Sequence, residues 1–316
     1  MSSPAIETKA AIRPRPKWDR TLDSGFIWLT RIFAIAIAVT LLWIAYEVAV
    51  EASPAIAQFG LSFFYTTAWN PVTQQYGALP MIYGTIVSSA IALLIAVPVG
   101  LGVAIFLSED YLPPKIQLAF VFLVELLAAI PSVVYGLWGI FVLGPLLASL
   151  TQPLYANFGW LPIFSTPPAN RSMLIAGVIL AIMVLPTITA ISRDALISVP
   201  SNLRQAAVGL GATRWETILQ IIIPAAFSGI VGAVMLALGR AIGETMAVTM
   251  VIGNSNNINP SLLAPSNTIP SLLANQFAEA SGLQVSALMY AALILFGITL
   301  IINILAQLLV YRMRRI

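Results

Sequence analysis

The sequence predicts an all-α integral membrane fold of about six spanning helices, with a short surface helix between the fourth and fifth. Three observations predict it. Hydrophobic residues make up 59% of the 316 positions and charged residues only 9%, against about 25% charged in soluble domains. Apolar runs of spanning length recur along the chain, and a bilayer core needs about 20 apolar residues per helix. Lys and Arg are concentrated on alternate connections, the pattern that orients membrane proteins.

In chain order, residues 1–25 form a polar, basic tail with Lys9, Arg13, Arg15, Lys17 and Arg20 among prolines. No apolar stretch precedes Phe26, so the first run is read as an uncleaved anchor and not as a signal peptide. The domain expected after it covers 26–316. Its apolar runs are 26–50, 83–107, 116–143, 173–191, 225–253 and 287–310. Pro98, Pro131 and Pro186 fall inside the second, third and fourth runs, and Pro224 marks the entry to the fifth. Interior prolines free backbone carbonyls that neighbours or a wet cavity must satisfy. The second to fifth helices are therefore expected to form an inner bundle wrapped by the first and last.

Lys115 follows the second run, Arg193, Arg204 and Arg214 follow the fourth, and Arg312, Arg314 and Arg315 close the chain. On the other side, 51–82 and 254–286 hold no Lys or Arg, and 144–172 holds only Arg171. This bias places both termini and the 199–224 connection in the cytoplasm. That side holds too little basic surface for nucleic acid, and its charges flank apolar runs instead.

The 199–224 connection, with its coupling loop at about 200–218, is polar and basic. Asn202 to Gln205 has capping-box spacing, which predicts a short helix burying Leu203, Ala206, Ala207 and Leu210. Gly209 and Gly211 end it. Thr213 to Glu216 is a second capping box that opens the next helix. A surface helix between spans is a handle on which a soluble partner can push. On the opposite side, Phe59, Phe63, Phe64, Tyr65, Trp69 and Tyr76 crowd the first long loop. They are read as an interfacial belt or as a docking surface. A short helix is expected at 270–280 with Thr268 as its cap.

Three ionisable residues fall in apolar runs: Glu125, Arg240 and Glu244. Each charge costs about 2.5–3.5 kcal/mol at mid-bilayer on insertion scales. On a continuous helix Arg240 and Glu244 share a face and can pair, and Gly239 and Gly243 beside them permit close helix approach. Such a pair either pins the packing or lines a pathway. In the second case the remaining guanidinium donors suit an oxyanion such as phosphate. Glu125 either joins that network or is protonated.

The composition also excludes much. There is no Cys and no His, hence no disulfide, no thiolate or imidazole metal site and no Ser-His or Cys-His catalysis. No Lys follows a Gly, so no nucleotide-binding P-loop exists in this chain. Either an ion gradient drives the molecule or a separate ATPase does.

Gln205-Ala206-Ala207, Gly211-Ala212 and Ile223-Pro224 resemble the cytoplasmic EAA loop of bacterial ABC-importer permeases. Three further stretches, 69–85, 125–136 and 239–247, look like those of the permeases of phosphate-specific importers. The resemblance runs from about Phe26 onward and implies the type I importer permease (MetI-like) fold, with a cytoplasmic coupling helix docked on an ATPase through Gln205, Ala206, Ala207, Gly211 and Ala212. It implies that Arg240 and Glu244 serve phosphate passage. It also implies a second permease (PstA-like), an ATPase dimer (PstB-like) that binds ATP and Mg, and a phosphate-binding protein (PstS-like). This chain itself is expected to bind no cofactor and to catalyse nothing. Gln205 departs from the Glu frequent in that loop. The alternatives are a permease for sulfate or molybdate, an ion-coupled secondary transporter, and a membrane scaffold indifferent to loss of Arg240.

Overall fold

The computed structural model describes residues 17–109 and 111–313. Lys9, Arg13, Arg15, Arg314 and Arg315 of the basic clusters lie outside them. Two units are distinguished, Met1–Val50 and Glu51–Ile316. Helix α1, Lys17–Phe59, begins the described chain. In the first unit it exposes apolar side chains such as Phe26, Ile37, Leu42 and Trp43.

In the second unit a 3-10 turn at Gly60–Phe64 leads to a small hairpin, β1 (Trp69–Asn70) and β2 (Gln75–Tyr76), paired antiparallel with Trp69 opposite Tyr76. Asn70 Oδ1 closes its turn by accepting from the Val72 amide at 2.9 Å. Then follow α2 (Leu79–Ser108), α3 (Pro114–Ala129), α4 (Ser132–Trp138), α5 (Gly144–Phe158) and α6 (Met173–Ile197). The chain continues through α7 (Ser201–Gly209), α8 (Arg214–Thr217), α9 (Ile223–Gly243), α10 (Met246–Val251), α11 (Ile269–Gln276) and α12 (Leu283–Met313). A π-helical turn at Gly139–Leu143 joins α4 to α5, and another at Ile218–Ile222 joins α8 to α9.

Among the described residues six helices are long and apolar enough to cross a membrane: Leu22–Phe64, Leu79–Ser108, Ser132–Phe158, Met173–Ile197, Arg214–Gly243 and Leu283–Arg312. The third differs from the run expected at 116–143. Pro131 ends that run instead of kinking it, because it has no amide to donate and forces Ile130 into an extended conformation (ψ 127°). The leftover α3 has 16 residues, about 24 Å of helix, short of a bilayer core of about 30 Å. The third crossing restarts at Ser132. Pro98 and Pro186, by contrast, lie within unbroken helices.

The packed centre is α6, flanked by α2 and α9. Gly177 lets α2 approach α6, since a Cβ there would meet Ile91 Cγ2 at 2.5 Å. At the end bearing the hairpin, Phe63 stacks on Tyr290 at 4.5 Å and Tyr76 packs edge-on to Trp69 at 5.0 Å. Phe63 and Tyr76 are buried there with Met81, Ile269 and Leu288. Phe63 and Tyr76 thus belong to an internal core, Phe59 and Trp69 are half-buried against it, and Phe64 and Tyr65 remain exposed. Thr268 caps α11 as expected, accepting from the Ser271 amide at 3.2 Å.

Candidate functional site

Two helices are interrupted, and their restarts lie against each other. The first break is at Ile130-Pro131. Because Pro131 lacks an amide hydrogen, the Leu127 carbonyl loses its normal helical donor; it accepts instead from the Ile130 amide at 3.4 Å and, at 2.8 Å, from the Tyr135 hydroxyl. The second break follows Gly243, where Glu244 takes an extended conformation (ψ 125°) before α10 starts. The fifth crossing therefore stops at Gly243 and does not run on to 253. Glu244 Oε1 accepts from the Ala247 amide at 3.3 Å, satisfying one of the orphan donors of the new helix. Thr245 Oγ1 donates to the Gly243 carbonyl at 3.2 Å, and Thr249 Oγ1 to the Thr245 carbonyl at 2.6 Å. Gly136 brings α4 onto α10: a Cβ there would lie 2.5 Å from Met250 Sδ and 3.3 Å from Ala247 Cα.

Arg240 sits in the last turn of α9, where a cation meets the negative end of the helix dipole. Its side chain is exposed. The expected Arg240–Glu244 pair is not formed. The one-turn spacing that would align them needs a continuous helix, and the backbone leaves helical geometry at Glu244, whose carboxylate is turned to Ala247. Among the described residues nothing lies within 4 Å of a Cβ at Gly239 or Gly243, and Gly239 lines a cavity of about 720 Å³ with Asn303 and Ala306 of α12. Glu125 stands elsewhere. It lines an open groove of about 470 Å³ with Lys115 and Phe122, and a cavity of about 30 Å³ with Thr189, Arg193 and Asp194. Neither Arg240 nor Glu244 lines these. Tyr135 escaped the sequence reading, although a Tyr four residues past a Pro in an apolar run is its signal.

The second candidate region is the α7 connection. Pro200, not Asn202, stands at the N-cap, with no side-chain cap, so the first expected capping box is absent. Proline fixes the entry dihedral there and leaves Asn202 inside the first turn. The second box is present: Thr213 Oγ1 accepts from the Glu216 amide at 3.4 Å, and Glu216 Oε2 accepts from the Thr213 amide at 2.7 Å. Gly211 takes φ +85°, a conformation open to glycine at little cost, and the Ala212 amide closes the helix on the Ala207 carbonyl at 3.1 Å. The predicted buried face is not there. Ala207 alone of the four is buried, while Leu210 is 90% exposed and Leu203 41%. Gln205 and Ala206 are exposed as well. With Val208 and Trp215 they leave an apolar surface uncovered by this chain.

Helices of spanning length, two interior breaks around a guanidinium and an uncovered surface helix together define a membrane component of a transport system. The profile described as "Binding-protein-dependent transport system inner membrane component" matches residues 96–315, and the chain belongs to this family. The chain is 47% identical over 296 residues to the phosphate transport system permease protein PstC of Mesorhizobium japonicum, covering 92% of this chain and 90% of that protein. It is 45% identical over 302 residues to PstC of Haemophilus influenzae, covering 93% and 95%. A probable PstC of Methanocaldococcus jannaschii is 40% identical over 276 residues, covering 84% and 85%. Among solved structures, a bacterial alginate ABC transporter in complex with its alginate pentasaccharide-bound periplasmic protein superposes with TM-score 0.59 at 18% identity, covering 90% of this chain and 94% of that one. The inward-facing MetNI methionine ABC transporter gives 0.52 at 16% identity, covering 74% and 96%. The fold is that of the type I ABC importer permeases.

Proposed function

We propose that this chain is the non-catalytic permease subunit of an ATP-driven importer that carries inorganic phosphate across the cytoplasmic membrane. The observation that supports the reading is Arg240: a guanidinium with no carboxylate partner among the described residues, one turn before the Glu244 break. Non-helical backbone inside a membrane is tolerated where it lines a cavity or is buried in protein. A guanidinium left with open donors matches phosphate oxygens bidentately. The names of the relatives supply the substrate.

The partners follow from the same reading. A second, PstA-like permease completes the passage across the open Gly239 and Gly243 face. A PstB-like ATPase dimer, which holds ATP and Mg, seats on α7 through Gly211 and the exposed Leu203, Gln205, Ala206, Val208 and Leu210, while Ala207, buried in this chain, holds the helix in place beneath them. A PstS-like binding protein delivers phosphate from outside. The Lys and Arg bias supports a cytoplasmic location for both termini and α7. ATPase closure moves α7, the breaks open outward to receive the anion near Arg240, and hydrolysis returns them inward. Glu244 keeps the empty passage near neutral while capping α10. Glu125 belongs further along, beside Lys115 and Arg193.

The test is uptake of labelled phosphate into vesicles holding the full complex, with ATP inside. Uptake that needs the ATPase and is lost in Arg240→Gln supports the reading. Uptake by this chain alone, or competition by sulfate or molybdate as strong as by phosphate, overturns the mechanism or the substrate respectively.

A further inference from the structure

The turn between α2 and α3 grips the α7–α8 connection at two points. Glu109 ends α2 and is only 7% exposed. It is ion-paired with Arg204 of α7, whose Nη2 also donates to the Leu196 carbonyl at 3.3 Å. Two residues past Glu109, Tyr111 stacks on Phe106 at 6.0 Å and carries the Arg214 guanidinium 4.7 Å from its ring centroid. The turn is fixed from a third side: the Leu107 carbonyl accepts from Gln117 Nε2 at 2.6 Å and from Arg193 Nε at 3.4 Å. Beneath these contacts lies an apolar floor of Ala104, Leu196, Ile218 and Ile222.

An ion pair largely removed from water holds its geometry far better than a surface pair, because each charge has lost its hydration and depends on the other. A guanidinium over an aromatic face adds a second attraction that tolerates sliding but not separation. Helix α7 is thus joined to the bundle by more than its covalent links to α6 and α8. Any displacement of α7 pulls on the end of α2 and on the start of α3, and α3 ends at the Ile130-Pro131 break.

We propose that Glu109 and Tyr111 are positioning residues that pass the motion of α7 to the α2–α3 turn, and through α3 to the break that Tyr135 closes. The α2–α3 turn is then a second bearing of the lever. This rests on the transport reading above, since it presumes an ATPase that moves α7.

The experiment uses the full complex in vesicles and reads phosphate accumulated per ATP hydrolysed, with co-purification of the ATPase as the check on assembly. Wild-type complex without ATP-dependent uptake overturns the transport reading, independently of this one. With wild-type uptake established, Glu109→Gln and Arg204→Gln are each expected to lower the ratio about fivefold or more while the ATPase stays bound, a loss of about 1 kcal/mol of coupling. The charge swap Glu109→Arg with Arg204→Glu is expected to recover at least half of it. Arg214→Leu should lower the ratio about twofold and Arg214→Lys should retain it, since a cation over the ring is preserved. An unchanged ratio in the single variants overturns the proposal. Where the single variants fail to assemble, the swap decides: wild-type coupling supports the proposal, and an assembled swap variant that stays uncoupled overturns it.

Discussion

Arg204 and Arg240 carry the same guanidinium, and the chain surrounds them in opposite ways. Arg204 faces inward to a buried carboxylate and a backbone carbonyl, which engage both of its terminal nitrogens. Arg240 is exposed, and the carboxylate four residues on is turned to the Ala247 amide. The first arrangement fixes the position of one helix against another. The second leaves donors open, and under the proposed function these are the donors that meet phosphate.

The largest test of this contrast is Arg240→Gln. Uptake should fall about 100-fold or more, as when a charge-stabilising donor is removed, while membrane insertion and thermal stability in detergent stay as in wild type. Retained uptake breaks the contrast. Arg204→Ala should do the reverse to stability. It leaves Glu109 buried without a partner, at a cost of about 3 kcal/mol, visible as a lower midpoint of thermal unfolding in detergent. An equal midpoint would make the pair incidental. Next comes the docking surface: Ala207→Trp fills the one buried side-chain position of α7 and Gly211→Val forces a branched residue to positive φ. Either should weaken ATPase co-purification about tenfold, equivalent to about 1.4 kcal/mol.

Glu244 sharpens the division further. Glu244→Gln keeps an oxygen for the Ala247 amide and removes only the charge, so uptake should fall several-fold with stability unchanged; Glu244→Ala removes the cap too and should lower both. Equal behaviour of the two variants would assign Glu244 to one role alone. The smallest effect belongs to Thr213→Ala, which deletes a cap at about 1 kcal/mol and should shift the unfolding midpoint slightly without changing phosphate moved per ATP.

Much of this architecture was legible in the residues. Hydropathy found the six crossings, because a run of apolar side chains is the same signal whatever the helix packs against. The Thr213–Glu216 box and the Thr268 cap were legible because each is a local contact. The third crossing was displaced because α3 is apolar throughout, and a hydropathy sum does not register where the backbone leaves the helix. Pro131 was visible, but whether proline bends or ends a helix depends on whether its released carbonyl finds a donor in line, and Tyr135 supplied one across the break. The Glu244 break had no proline to announce it. Glu109 and Arg204 are 95 positions apart, so only the fold brings them together. The burial expected for α7 assumed an amphipathic helix lying on its own bundle, whereas most of its apolar side chains face away from this chain.

The phenol that serves Leu127 has one more consequence. A gap in a helix at membrane depth usually invites water, and a file of water conducts protons. Here the carbonyl released at Pro131 is occupied by a side chain from one turn further on, and a carbonyl so occupied does not recruit a water. A Tyr135→Phe variant would open that acceptor, and vesicles carrying that variant should lose a pH gradient faster than those carrying the native chain.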